Sequence, residues 1–462
     1  MKYIVAFVAL ILSVYYLYQV KYKSTRVVWL IYFELIYNLI IKFIIGNLGF
    51  PSVLNYVSDM VLLWIIFEFL MQNGRKELIV PKSMKIGCLI LFLISIVSYV
   101  LNLYSPFLYI WGFRNNFRFI IFAIMCAVYL DRRDIKTIFD ILYGFILVNI
   151  IATTYQYFFV SYNVLSKGDF ISGLFSNGAE RGGNASLNWL LCIVCTYVIV
   201  QYLNKEEKLH KLLICLCSSI YMAALAEIKL FFIQLVIIGA LAIILCRKSL
   251  KAFGVVLIGV TSLVVGIRLL YYAFPSFANF FNVKDILAYV SEGGGYAGTG
   301  VNARIDRLTA IPYVFEHFLP SALKKAVGIG LGNADYSSFS FLTSSFYNIN
   351  NWTGYTFFYS AFITVELGIV GLVTYLGIIL NYFRKAVLVK SKMSGDKTIK
   401  QFVIIMSVIC LIMIFSNQTM KLEASAYLVH CVLAFPFVIS KTSDNTQGNY
   451  SKIKKIRFRI LR

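Results

Sequence analysis

Apolar runs long enough to cross a bilayer, each about 20 residues, recur about thirteen times along these 462 residues and leave little chain for anything else. They are continuous rather than alternating. Each must therefore satisfy its own backbone hydrogen bonds as an α-helix, and a transmembrane β-barrel is excluded. Hydrophobic residues make up 60% of the chain and charged ones 14%, with a mean hydropathy of +0.78. A soluble domain of that composition would expose large apolar patches. The sequence predicts an all-α polytopic membrane protein, one integral membrane domain over 1–462. Its spans fall near 3–20, 27–45, 53–71, 86–104, 117–130, 136–160, 187–203, 211–226, 229–246, 252–272, 357–383, 401–416 and 424–440.

Charge orients these spans. Alternate loops carry Lys21, Lys23 and Arg26; Arg75, Lys76, Lys82 and Lys85; Arg132, Arg133 and Lys136; Lys205, Lys208 and Lys211; Arg247, Lys248 and Lys251; the run from Arg384 to Lys400; and the basic tail 441–462. Together they hold about 29 of the 43 Lys and Arg residues, and the positive-inside rule makes that side cytoplasmic, C-terminus included. The first span has no A-x-A cleavage pattern and another span follows at once, so it is read as a retained helix. The net charge of +22 then has a membrane explanation, because these loops and the tail face anionic headgroups. Nucleic-acid binding is not expected. The nine cysteines lie within or at the ends of predicted spans, without metal spacing or a paired pattern, and read as small packing residues.

One polar interruption, 271–357, is far longer than the others and falls on the outward side. It opens with aromatics from Tyr271 to Phe281. A glycine hinge at 292–300 follows, then a helical-looking stretch from Asn302 to about Leu319, the cluster Gly328-Ile-Gly-Leu-Gly332, and a polar aromatic run from Asp335 to Tyr359. A loop this long, rich in Gly and Tyr, suits a lid or binding element whose rings stack on sugar faces.

Three elements in order resemble the O-antigen polymerase and ligase family, which includes capsular and exopolysaccharide repeat-unit polymerases. They are Gly173-Leu-Phe-Ser-Asn177 ahead of a span; Arg304-Ile-Asp-Arg307 about twenty residues before Gly328-Ile-Gly-Leu-Gly332; and Glu366-Leu-Gly-Ile-Val-Gly371 at the start of the next span. The resemblance covers roughly 114–372 and implies a glycosyltransferase on the outer face of the bacterial cytoplasmic membrane. It would transfer an oligosaccharide from undecaprenyl diphosphate to a hydroxyl of another carrier-linked unit. Its implied partners are that lipid-linked oligosaccharide, membrane lipids, and the flippase and chain-length regulator of the same pathway; no cofactor is implied.

Such a reaction needs cations for the leaving diphosphate, which Arg grips with two parallel hydrogen bonds. Arg304 matches the family position, and Arg307 shares its face if the segment is helical. Lys229 stands where the family carries a basic motif at a bend, with Glu227-Ile-Lys229 in its place. Arg114, Arg118, Arg181 and Arg268 fall on or near the outer face against the charge bias, as functional arginines do. The backbone N–H groups at Gly328, Gly330 and Gly332 could approach an anion or simply turn the chain.

The acceptor's base is the least marked part. Ligases of this family carry a late outward His, but the expected region reads Asn350-Asn-Trp-Thr-Gly-Tyr-Thr-Phe-Phe-Tyr359, and the three histidines are His210, His317 and His430. That favours a polymerase over a ligase and leaves Asp335, Glu366 and Tyr359 as candidates to assist the acceptor. No carboxylate cluster or D-x-D pair suggests a metal site. A flippase for the same lipid-linked glycan is the alternative from another class, but it should show two similar halves.

Overall fold

Every regular element of the computed structural model is helical among the residues it describes, which are 23–72, 80–162, 168–178, 183–246, 305, 307, 309–391 and 393–441. The spans expected at 3–20 and 252–272, the hinge at 292–300, the tail beyond 441, and Arg181, Arg268 and Arg304 lie outside them. The long helices are α1 (Lys23–Gly46), α2 (Val57–Gln72), α3 (Lys82–Asn102), α4 (Pro106–Tyr129), α5 (Arg132–Phe159), α6 (Asn184–Leu203), α7 (Leu209–Leu225), α8 (Lys229–Cys246), α9 (Tyr359–Leu388), α10 (Ser394–Ser416) and α11 (Glu423–Leu433). Among the described residues, 9 helices are long and apolar enough to cross a membrane. The exceptions are α7, which is short, and α4, which carries Arg114, Asn115, Asn116 and Arg118 in its first half.

Burial sorts these helices into layers. The last span, which runs on to Lys441, is 89% buried and sits at the centre, whereas α3 is 22% buried and turns large apolar side chains such as Leu93 and Val100 outward. Helix α11 packs on α1, α4 and α6; α9 packs on α10 and α3. One end of the bundle is tied by Arg132, whose guanidinium grips Asp396 at 2.7 and 2.9 Å, and by Lys441, which donates to the carbonyls of Val128 and Leu130. Glu423, at the other end of the last span, marks the opposite side. All nine cysteines are free, and seven are buried.

Between α8 and α9 the described chain forms short helices rather than one irregular loop: Ala310–Tyr313 running into a π-turn at Val314–Phe318, then Ala322–Val327 and Ser345–Asn350. Ser321 and Ser344 start the last two, each accepting from the backbone N–H three residues on. Helix α9 is broken within its length at Gly368, whose φ of 66° and ψ of −169° are not helical. Only glycine adopts that geometry without strain, and a Cβ there would strike the backbone of Ala326.

Candidate functional site

Four helices bring a charge cluster together at the Glu423 end of the bundle. Arg114 and Arg118 are one turn apart on α4 and share a face. Arg114 grips Asp59 of α2 through Nε at 3.0 Å and Nη2 at 2.5 Å, and its Nη2 lies 3.5 Å from Glu423. Arg118, with 6% of its side chain exposed, donates to Glu423 at 2.8 Å and lies 3.5 Å from Asp59. Lys42 of α1 completes the ring, 3.2 Å from Glu423 and hydrogen-bonded to Asn55. Charges this deep persist only when paired, because an uncompensated ion in a low-dielectric interior costs several kcal/mol. The cluster is nonetheless open on one side: Lys42, Arg114 and Asp59 keep 34%, 21% and 20% of their side chains exposed.

Beside it lies a second polar group. Asp335 is buried, with Oδ1 2.5 Å from Lys421 Nζ and Oδ2 accepting from Asn115, the neighbour of Arg114 on α4. Lys421 also lies 3.6 Å from the centre of the Phe362 ring. Gly332, three residues before Asp335, donates its N–H to Glu366 Oε1 at 2.9 Å. Its φ of 80°, and the Leu108 carbonyl and Gly112 backbone pressed against its Cα, leave no room for a side chain. Ile329 and Gly330 donate to the carbonyls of Val365 and Glu366, just before the break in α9. From the other side Asn102 and Tyr104 hold the carbonyls of Gly328 and Leu331. Burial first, then Glu366 and Asp335, push the Tyr355 phenol well above its ordinary range, so it stays a neutral donor to the Ala334 carbonyl.

Aromatic rings border the charge cluster. The Arg114 guanidinium lies 4.7 Å from the Trp111 ring and 5.3 Å from Tyr56. Trp111 donates to the Tyr336 carbonyl, Tyr336 stacks on Tyr347, and Tyr56 lies beside Phe339. Tyr336 and Phe339 are each 46% exposed, so apolar ring surface and cations face solvent side by side.

The structure therefore gathers Arg114 and Arg118 in one group, and Asp335, Glu366, Gly328, Gly330 and Gly332 in an adjoining one. The carboxylate that the Gly332 N–H approaches is the chain's own Glu366, and Gly328 and Gly330 donate to backbone carbonyls. Asp335 and Glu366 are sealed from solvent. Lys229 opens α8 at the bend after Glu227, and Arg307 lies with its guanidinium 6.0 Å from the Phe358 ring. Tyr359 is buried and donates to Asn116 at 3.4 Å. His430 is buried against Tyr375, and His317 sits on the exposed π-turn. Arg181 and Arg304 are not among the described residues. The Gly173–Phe175 turn is pinned by Gln156 and Asn149 of α5, which accept from the N–H groups of Gly173 and Leu174.

Sequence reasoning missed Lys42, Asp59, Lys421 and Glu423. The signal was present, since Lys42 and Asp59 are ionisable residues inside predicted spans. Among the described residues no three His, Cys, Asp or Glu side chains gather to hold a metal ion. Compared with known proteins, the chain matches no family model and no curated protein.

Proposed function

We propose that this chain is a membrane glycosyltransferase that polymerises oligosaccharide repeat units carried on undecaprenyl diphosphate, at the outer face of a bacterial cytoplasmic membrane. In this reading about thirteen spans place 271–357 outside and the basic tail inside. The observation that carries it is the pairing of cations with sugar-sized aromatic surface: Lys42, Arg114 and Arg118 lie at one end of the bundle, bordered by Trp111, Tyr56 and Tyr336. The cations suit a leaving diphosphate, and the rings suit the apolar faces of pyranoses. A second support is spatial. Gly328-Ile-Gly-Leu-Gly332 and Glu366-Leu-Gly368, two of the elements by which the chain resembles repeat-unit polymerases, are hydrogen-bonded to each other.

Chemically, the acceptor hydroxyl displaces the diphosphate at the anomeric carbon; a C–O bond forms, the anomeric C–O bond to phosphate breaks, and the hydroxyl proton leaves to solvent or to a nearby carboxylate. Arg304 completes the cation set in this scheme. The test is a reconstitution in detergent, where no membrane sides exist to transport between. Purified protein given carrier-linked repeat units should yield a ladder of longer glycans and free undecaprenyl diphosphate. Arg304→Ala should abolish the ladder, and Arg304→Lys should restore part of it, since Lys keeps the charge but loses the fork. An unchanged substrate pool with folded protein would reject the enzyme reading in favour of a transporter.

A further inference from the structure

Three stretches that meet at the Glu423 end of the bundle carry no Asp, Glu, Lys, Arg or His: 43–58, 86–113 and 336–365. Each stops at a member of the two polar groups above, for Lys42 and Asp59 bound the first, Arg114 closes the second, and Asp335 and Glu366 bound the third. The turns within them nevertheless expose large apolar side chains: Leu48 and Val53 between α1 and α2, Leu103 and Phe107 at the turn from α3 into α4, and Phe339 and Phe341 in the third stretch. Leu103, Phe341 and Phe107 are 79%, 65% and 64% exposed.

The third stretch presents its rings on a closed hairpin. Ser344 donates its N–H to the Asp335 carbonyl at 3.0 Å, and the Thr343 hydroxyl accepts from the Ser337 N–H while donating to the Ser337 carbonyl. A 3-10 turn at Ser340–Leu342 forms the tip, where Leu342 and Thr343 donate to the carbonyls of Phe339 and Ser340. Backbone groups paired in this way can leave bulk water without a large penalty. From the tip the rings run in file: Phe339 lies 5.8 Å from Phe341, and Phe341 lies 6.4 Å from Phe107. Phe107 and Ile110, one turn on, face outward from α4, and Leu93, Val97 and Val100 do so along α3. Helix α3 is long and apolar enough to span, so its outward face meets acyl chains, and the hairpin tip continues that face past the end of the helix.

We propose that the hairpin tip 338–342, together with Leu103 and Phe107, is a membrane-inserted element whose partner is the lipid leaflet at the Glu423 end: Phe341 sits at the boundary of hydrated headgroups and acyl chains rather than on an aqueous loop. An apolar patch free of charge suits that boundary, where aromatic side chains concentrate. Ser338 and Ser340, both exposed, hold the tip at headgroup depth, because their hydroxyls keep their water there. A second protein chain fits less well, since no charge on the patch would fix its register or exclude wrong partners. Tyr56 joins this surface to the cations. It lies 6.1 Å from Phe339 and 5.3 Å from the Arg114 guanidinium, so the charge cluster opens beside lipid headgroups. This placement needs only the membrane spans and is independent of the glycosyl transfer proposed above.

The experiment uses the full chain in vesicles of phosphatidylethanolamine and phosphatidylglycerol, with Cys88 and Cys217, the two cysteines that are not buried, changed to serine. Nitroxides are attached one at a time at Phe341→Cys and Phe107→Cys, with Leu93→Cys as the lipid-facing reference and Lys208→Cys as the water-facing one; all four positions are exposed. Power saturation then compares collisions with oxygen, which concentrates in lipid, and with a water-soluble nickel chelate. The oxygen-to-nickel ratio at 341 and 107 should be several-fold above that at 208 and approach that at 93. A ratio at 341 equal to that at 208 would place the tip in water and overturn the proposal. Low collision rates with both reagents at 341 would mean that another protein chain covers the tip, and would overturn it equally.

Discussion

Glu423 holds the charge cluster together, and neutralising it is the most informative single perturbation of this fold. Its carboxylate meets Arg118 at 2.8 Å, Lys42 at 3.2 Å and Arg114 at 3.5 Å. Glu423→Gln keeps shape and volume and removes only the charge. Breaking a buried pair by removing one partner costs about 3–5 kcal/mol, because the other ion stays buried without compensation. The lower end applies here, since Arg118 keeps Asp59 at 3.5 Å and Lys42 is partly solvated. Unfolding entropy grows with chain length, so about 3 kcal/mol corresponds to a loss of about 3 °C in Tm for a chain of this size.

The assay is thermal unfolding of detergent-purified protein at one scan rate, for Glu423→Gln, Arg118→Met and the double variant. Arg118→Met alone should cost less, because Glu423 keeps Lys42 and Arg114. In the double variant neither charge is orphaned, so it should be more stable than the two single losses summed, with a coupling of about 2 kcal/mol. A Tm for Glu423→Gln within 1 °C (about a third of the predicted loss) of wild type, together with additive singles, would falsify the claim that these charges are buried and interdependent.

Two further outcomes follow from the same structure. In a background with the exposed Cys217 changed to serine, Ile349→Cys should react with a membrane-impermeant thiol reagent on intact cells and Lys208→Cys should not; both positions are exposed, and the charge bias assigns them to opposite sides. Gly368→Ala should destabilise by more than about 1 kcal/mol, because an L side chain at φ 66° is strained and its Cβ meets the Ala326 backbone. Limited proteolysis reads this as faster cleavage within 310–357, and an unchanged digestion pattern would count against the docking described here.

The helical, membrane-spanning character was legible because apolar runs of that length admit one backbone solution. Boundaries failed where charge intervened. Helix α4 begins at Pro106 rather than near 117, because Arg114, Asn115 and Asn116 read locally as a loop, whereas in three dimensions Asp59 and Glu423 neutralise Arg114 and the helix continues. The two arginines could be singled out, since they violate hydropathy and charge bias together. Which carboxylates pair with them could not be read, since Asp59 lies 55 positions from Arg114 and Glu423 lies 305 from Arg118, and no local periodicity links them. The pairing of Lys421 with Asp335, 86 positions apart, was out of reach for the same reason.

The glycine cluster shows how two motifs can be singled out while their pairing goes unseen. Glycines at 328, 330 and 332 signalled close backbone approach, and a close approach is present. Its cause lies in α9. The break at Gly368 interrupts the helix ladder, so the Val365 and Glu366 carbonyls need donors from elsewhere, and Ile329 and Gly330 supply them while Gly332 holds the Glu366 side chain. Three residues later Asp335 reaches Asn115, whose neighbour Arg114 belongs to the charge cluster. The broken helix, the glycine turn and the cations are thus successive links of one hydrogen-bonded chain, and a displacement of the 310–357 segment has a physical route to the cations through Asn115.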